Sequence, residues 1–242
     1  MLLKLQQNKL HRLYFNQKLS TNDIITPSSK QILRLKNVLR LKESEELILF
    51  NGDGKEYLGM ITLKSNKSIN IIKELRHENI NKNKIVLAQS IPSYKYMDFA
   101  IQKSVELGID EIIPIVSQRS HPGDHTKKMG HWKKVIIHAV EQSGGLYIPI
   151  LSEPLSLEDL FKNTNYDRYE KILCHPSGLA LSNINRNNFP KIIIVGPEGG
   201  FSDRELNLAR TFNWNIVTLG DRILRTETAA IVAQVLLRGS SE

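Results

Sequence analysis

Residues 191–201, KIIIVGPEGGF, constrain this chain more than any other stretch. Ile192–Val195 is an unbroken β-branched run, which predicts a short strand buried on both faces. Gly196-Pro197 stops it, and Gly199 and Gly200 follow at once. Ser202-Asp203-Arg204-Glu205 is an S-x-x-E capping box that opens a helix. A strand, a glycine turn and a helix N-terminus in succession form the arrangement by which α/β proteins hold small ligands. Glu198 narrows the choice of ligand. A carboxylate about 4 Å from a phosphate opposes it by roughly 4 kcal/mol at an effective dielectric of 20. Neither a Gly-Lys-Ser/Thr loop nor a G-x-G-x-x-G fingerprint is present. The turn therefore suits a ligand with donors or positive charge, the alternative being a tight turn that binds nothing.

The rest of the chain sets the bounds. Its 242 residues fit one large domain or two small ones. The single cysteine, Cys174, excludes an internal disulfide framework and suits a reducing compartment. No apolar run approaches the roughly 18 residues that span a membrane, and the charged N-terminus does not read as a signal peptide, so a soluble cytoplasmic protein is expected. The net charge of +8 is localised. Residues 1–84 carry 16 Lys+Arg against 8 Asp+Glu, whereas 85–242 carry 17 of each. A cationic front joined to a neutral rear points to a polyanion such as RNA, or else to a solvated basic surface.

In order along the chain, Leu10–Phe15 reads as an early strand in which Arg12 stands near Tyr14 and Phe15. Thr26 as N-cap with Pro27 at the first position predicts a helix to about Leu41. Ile32, Leu35 and Leu39 form its core stripe, with Lys30, Arg34 and Arg40 on or beside the other face. Glu46–Phe50, Tyr57–Leu63 and Ile69–Leu75 read as strands, the first two reversed at Asn51-Gly52-Asp53-Gly54. Several short strands and one helix predict a small β-barrel over 1–76, and polar 76–84 predicts a boundary. From 84 to 242 strands and helices alternate: strands Ile85–Gln89, Glu111–Val116, Lys171–Cys174 and Asn215–Leu219, helices Met97–Leu107, His131–Ser143 and Ser156–Phe161, and a last helix near Glu227. That rhythm predicts a mostly parallel sheet, with ligands beyond its strand carboxyl ends at His175, Gly196 and Gly220. The spacing of His121, His125 and His131 matches no zinc pattern, so no metal is expected.

A second turn, Leu219–Ala230, leaves the last predicted strand through Gly220 and enters a helix at Thr226 or Glu227. GPEGGF at 196–201 and LGDRILRTETA at 219–229 together resemble the two signature loops of SPOUT-class RNA methyltransferases. The chain is most similar to the RsmE family, the 16S ribosomal RNA uridine-N3 methyltransferases. HRLYF at 11–15, VLRLK at 38–42, FNGDG at 50–54, KSVELGIDEIIPIVSQRS at 103–120 and HW…EQSG at 131–144 extend the likeness over nearly the full length. Ser93, Gly145 and Arg34 stand where that family usually carries lysine, arginine and histidine.

The resemblance implies an α/β protein with a PUA-like β-barrel in front and a SPOUT domain with a deep trefoil knot behind. It also implies S-adenosyl-L-methionine as cofactor, 16S ribosomal RNA of the small subunit as partner, and a homodimer. Carried over residue by residue, the cofactor pocket comprises Leu173, His175, Gly196, Pro197, Glu198, Gly199, Gly200, Leu219, Gly220, Ile223, Leu224, Arg225, Thr228 and Ala229. Uridine N3 must lose a proton: Glu198 and Glu227 are the candidate bases, Glu198 preferred, and Arg119 and Arg225 are expected at the uracil. Arg12, Lys30, Arg34, Lys36 and Arg40 are expected to hold RNA phosphates. The alternatives are a SPOUT enzyme acting on transfer RNA or a ribose 2′-hydroxyl, and an RNA-binding assembly factor without activity.

Overall fold

The computed structural model describes residues 10–64, 67–79, 83–181 and 189–238, so the readings of the first nine residues and of 80–82 fall outside it. The chain divides into two compact units, Met1–Ile80 with Val140–Ile148, and Asn81–Ala139 with Pro149–Glu242.

The first unit holds one five-stranded sheet. Its strands are β1 (Arg12–Tyr14), β2 (Ile24–Ile25), β3 (Glu46–Phe50), β4 (Lys55–Thr62) and β5 (Ser68–His77), in the order β1-β3-β4-β5-β2. β1 runs parallel to β3 and the other pairs are antiparallel. Register shifts at Glu56/Tyr57 and Leu58/Gly59 bend β4 against β5, as bulges do. Gly59 permits the bend, because a Cβ there would meet Leu49 Cδ1 at 2.2 Å. The concave side closes over Leu13, Leu35, Leu47, Leu49, Ile61 and Ile69.

The helix of this unit is shorter than its pattern predicts. Ser28, not Thr26, is the N-cap, in a full capping box with Gln31. α1 (Ser29–Leu33) passes into a π-helical turn, Arg34–Val38, and Arg40 at φ +54° ends the run. Of the expected stripe only Leu35 is fully buried. The sequence reading placed Val140–Ile148 with the rear domain, whereas its contacts group it with the first unit. Gly54 N–H donates to Leu146 O at 3.2 Å, Asp53 bridges Tyr147, and Arg76 Nη2 donates to Gly144 O at 2.6 Å.

The second unit is a seven-stranded parallel sheet. β6 (Ile85–Ser90), β7 (Glu111–Val116), β8 (Ile150–Leu151), β10 (Glu170–Ala180), β11 (Lys191–Val195) and β12 (Asn215–Thr218) lie in the order β12-β10-β11-β6-β7-β8, and β9 (Leu155–Ser156) pairs with β7. Its helices are α2 (Tyr94–Glu106), α3 (Met129–Ser143), α4 (Leu157–Lys162), α5 (Asp203–Thr211) and α6 (Thr226–Arg238), α3 running on into Val140–Ser143 of the first unit. One side chain of each strand pair packs toward α4 and α5, through Val86, Ala88, Ile192, Ile194, Phe161 and Leu206. α6 packs on α2 and against β6 and β11. β11 is buried at every position.

β10 departs from expectation. It does not stop at Cys174 but continues to Ala180, with a register shift against β12 between Cys174 and Leu179. Gly178 makes this possible, since a Cβ there would lie 2.4 Å from the Val217 carbonyl carbon. The extra residues of the bulge carry His175 and Pro176 to the rim of the site described next.

Candidate functional site

The carboxyl ends of β11 and β12 and the bulge of β10 open into a cavity of about 410 Å³, within the usual range for small-molecule pockets. The two glycine turns, at 196–200 and 219–220 and some twenty residues apart, share it. Gly196, Pro197, Glu198 and Gly200 line one side; Leu219, Ile223, Leu224, Arg225 and Ala229 line the other, with His175 from the β10 bulge. All ten are residues expected from the resemblance. Leu173, Gly199, Gly220 and Thr228, also expected, are not among the lining residues. Leu173 is fully buried in β10, where it packs in the core.

Each turn is pinned. Gly200 N–H donates to Pro197 O at 2.9 Å and closes a tight turn that needs Gly200 at φ +65°. Glu198 Oε1 accepts from Ser93 N–H, the N-cap of α2, at 3.0 Å. Arg119 Nη1 donates to Gly199 O at 2.7 Å. Glu205, whose Oε2 completes the capping box with Ser202, also accepts Gln118 N–H at 2.8 Å on Oε1. On the other side Thr226 Oγ1 donates to Gly196 O at 2.6 Å and accepts from Gln89 Nε2 at 2.9 Å. The first residue of α6 is thereby fastened to the end of β11.

This geometry assigns roles by elimination. Burial would raise the Glu198 carboxyl, but hydrogen bonds from its own N–H and from Ser93, with His121 nearby, outweigh it and hold the group below the usual carboxylate range. In that state Glu198 is a weaker base than a free glutamate, and its Oε1 ties the turn to α2. His175 Nδ1 accepts from Ser177 N–H at 3.2 Å. That N–H can only donate, which leaves the proton of a neutral His175 on Nε2; burial, ahead of repulsion by Arg210, lowers its pKa and favours the neutral ring. Burial pushes the Cys174 thiol up to about 12, so it lines the cavity as a protonated thiol and not a nucleophile. Arg225 is exposed on the cavity wall, and Arg119 lies against Gly199, where a Cβ would meet its Cδ at 3.2 Å.

The wall also contains residues not among the expected cofactor contacts: Tyr96, Cys174, Pro176, Val195, Phe201, Thr218, Arg222, Thr226 and Glu227. Gln89, behind Thr226, had a signal, being a lone polar residue ending an apolar strand, IVLAQ. Tyr96 had none, because only the packing of α2 brings it there. Among the described residues no group of three or more His, Cys, Asp or Glu is placed to hold a metal.

The expected RNA contacts divide. Lys30, Lys36 and Arg40 are exposed on the first unit. Arg12 is not: its guanidinium pairs with Glu56 at 3.0 Å, donates to Val140 O at 2.8 Å and Gly145 O at 2.9 Å, and lies over the Phe50 ring. Arg34 is engaged by Glu141 through two bonds of 3.1 and 2.6 Å. Both arginines build the first unit, because the carbonyls and carboxylate of 140–148 offer them partners that no local pattern foretells.

Comparison with known proteins decides the family. Residues 79–238 match the model of an RNA methyltransferase domain, and residues 35–74 that of an RNA methyltransferase PUA domain. Ribosomal RNA small subunit methyltransferase E of Mesomycoplasma hyopneumoniae is 35% identical over 92% of this chain and 96% of its own. The enzyme of the same name from Rickettsia conorii is also 35% identical, over 96% and 97%. The chain belongs to the ribosomal RNA small subunit methyltransferase E family. A family structure from Neisseria gonorrhoeae, solved bound to S-adenosyl methionine, superposes with a TM-score of 0.87 at 31% identity, covering 95% of this chain and 97% of that one. A Legionella pneumophila methyltransferase in complex with the same cofactor gives 0.89 at 32%, over 96% and 98%. The family thus supplies the fold, a PUA domain followed by a SPOUT methyltransferase domain.

Proposed function

We propose that this chain methylates N3 of a uridine in 16S ribosomal RNA of the small subunit, with S-adenosylmethionine as donor. The observation that carries the reading is the meeting of the two glycine turns in one cavity at the ends of β11 and β12 beside the β10 bulge. The residues fit that cofactor. The wall is apolar at Val195, Pro197, Phe201, Leu219 and Leu224, it lacks a phosphate cradle, and it contains a buried carboxylate, Glu227, suited to a cationic ligand. When bound, S-adenosylmethionine supplies an electrophilic methyl group on a positive sulfur.

The protein's part is orientation. Backbone at Gly196–Gly200 and Leu219–Ala229, held rigid by Thr226, Ser93 and Arg119, would fix the adenosyl group, and fixed alignment of reactants is worth roughly 7–11 kcal/mol of barrier. Arg225, exposed on the wall, and the remaining N–H groups of Arg119 would stabilise negative charge on uracil oxygens as N3 loses its proton. With Glu198 tied to Ser93 and His175 Nδ1 already bonded, the N3 proton passes to solvent water in this reading, and the arginines stabilise the uridinate left behind. Lys30, Lys36 and Arg40 would bind phosphates through the first unit. The homodimer, the trefoil knot and a cytoplasmic location belong to the same proposal. The dimer finds support in Phe99, Val235 and Leu236, large apolar residues left exposed on the packed α2–α6 pair. No described helix is long and apolar enough to cross a membrane.

The test is calorimetric titration with S-adenosylmethionine, followed by transfer of labelled methyl to small-subunit RNA and mapping of the modified nucleotide. Binding with label at a uridine N3 is expected. Absence of binding would make the protein an assembly factor, and label in transfer RNA or on a ribose hydroxyl would place it elsewhere in the class.

A further inference from the structure

We propose that Glu227 lets the cavity distinguish a positively charged sulfonium donor from its neutral thioether product, an inference that rests on the cofactor reading above. Glu227 lies in the first turn of α6, lines the cavity and is only 8% exposed. Its Oε2 is buried and has no hydrogen-bond partner among the described residues. A buried charged oxygen without a partner is unfavourable, and because the residue borders the cavity its negative potential reaches a ligand held there.

The surroundings favour charge over hydrogen bonding as the role. The first turn of a helix stabilises a negative group, so α6 supports the carboxylate as an anion. The turn cannot swing aside, because Thr226 is bonded both to Gly196 O and to Gln89. The other charged groups on the wall are Glu198, Arg222 and Arg225. Glu198 is tied to Ser93, and the two arginines are exposed, where solvent and salt screen them. Glu227 is screened far less, since apolar Val195, Leu224 and Ala229 share its wall. A ligand with a positive centre is therefore held more tightly than the same ligand without it. Donor and product differ by that charge and the transferred methyl group, and through the charge Glu227 favours loading of the first and departure of the second.

The experiment measures affinities of the full chain for S-adenosylmethionine and S-adenosylhomocysteine by calorimetry, in the wild type, Glu227→Gln and Glu227→Asp. In Glu227→Gln the ratio of the two affinities should fall about tenfold, equivalent to about 1.4 kcal/mol, through loss of donor binding with little change for product. Glu227→Asp, which retains the charge, should preserve most of the ratio. Equal loss of both ligands would mark Glu227 as a hydrogen-bonding or structural residue and overturn the proposal, as would an unchanged ratio. A measurement that needs no variant guards against misfolding: the wild type should bind an analogue with an ammonium-bearing carbon in place of sulfur more tightly than the thioether, and equal binding would refute the charge effect. Wild-type protein that bound none of the three would instead refute the cofactor reading itself.

Discussion

Replacing Arg12 by Ala separates two readings of that residue. As an RNA contact its loss would leave folding within about 0.5 kcal/mol, as surface changes do, and would lower the salt slope of RNA binding by about one. The structure requires the reverse. Arg12 and Glu56 are both 11% exposed and 3.0 Å apart, and removing one partner of a buried pair costs about 3–5 kcal/mol. Arg76 Nε stays 3.4 Å from Glu56 Oε1, so the lower end applies. The carbonyls of Val140 and Gly145 lose their donor as well, which adds at least about 1 kcal/mol for a total of about 4 kcal/mol. Amide exchange of the β1–β3 ladder at Phe15 and Ile48, whose N–H groups bond Phe50 O and His11 O, should accelerate more than a hundredfold. Arg12→Lys should recover little, because an ammonium cannot reproduce the guanidinium fork. Unchanged exchange with a shallower salt slope would refute this account.

Three further outcomes follow from the second unit. Gly178→Ala places a Cβ 2.4 Å from the Val217 backbone and should destabilise that unit by about 2–3 kcal/mol in urea unfolding; a neutral result would mean the bulge is not as described. Thr226→Val strands Gly196 O and should lower stability by about 1–3 kcal/mol with weaker S-adenosylmethionine binding in calorimetry, whereas undiminished binding would deny the clamp a role in holding the turn. The Glu198 carboxyl is depressed in the folded protein, so the stability it contributes is present above the unfolded glutamate value and is lost as pH falls through the folded one. An NMR titration of its carboxyl carbon should give a midpoint below that of free glutamate, and a midpoint at or above it would restore Glu198 as a base.

Much was determined by sequence alone, and for local reasons. The β-branched run Ile192–Val195, the Gly196-Pro197 break and the Ser202/Glu205 box are short-range signals, and β11, the turn and α5 formed where those signals lay. Strand Glu111–Val116 was legible in the same way. Alternation of strands and helices was enough to predict a parallel sheet, and the family resemblance carried by the two loops named about half of the cavity wall in advance. Only tertiary structure decided which charges are free. Arg12 and Arg34 look like surface cations until Glu56, Glu141 and the carbonyls of 140–145 are brought to them from more than forty residues away. Glu198 reads as a free carboxylate until Ser93 N–H arrives from α2, and Glu227 as an open first-turn carboxylate until the packing of α6 buries it. A charged side chain takes its role from its partners and its exposure, and both are set by distance in space, which the order of residues does not encode locally.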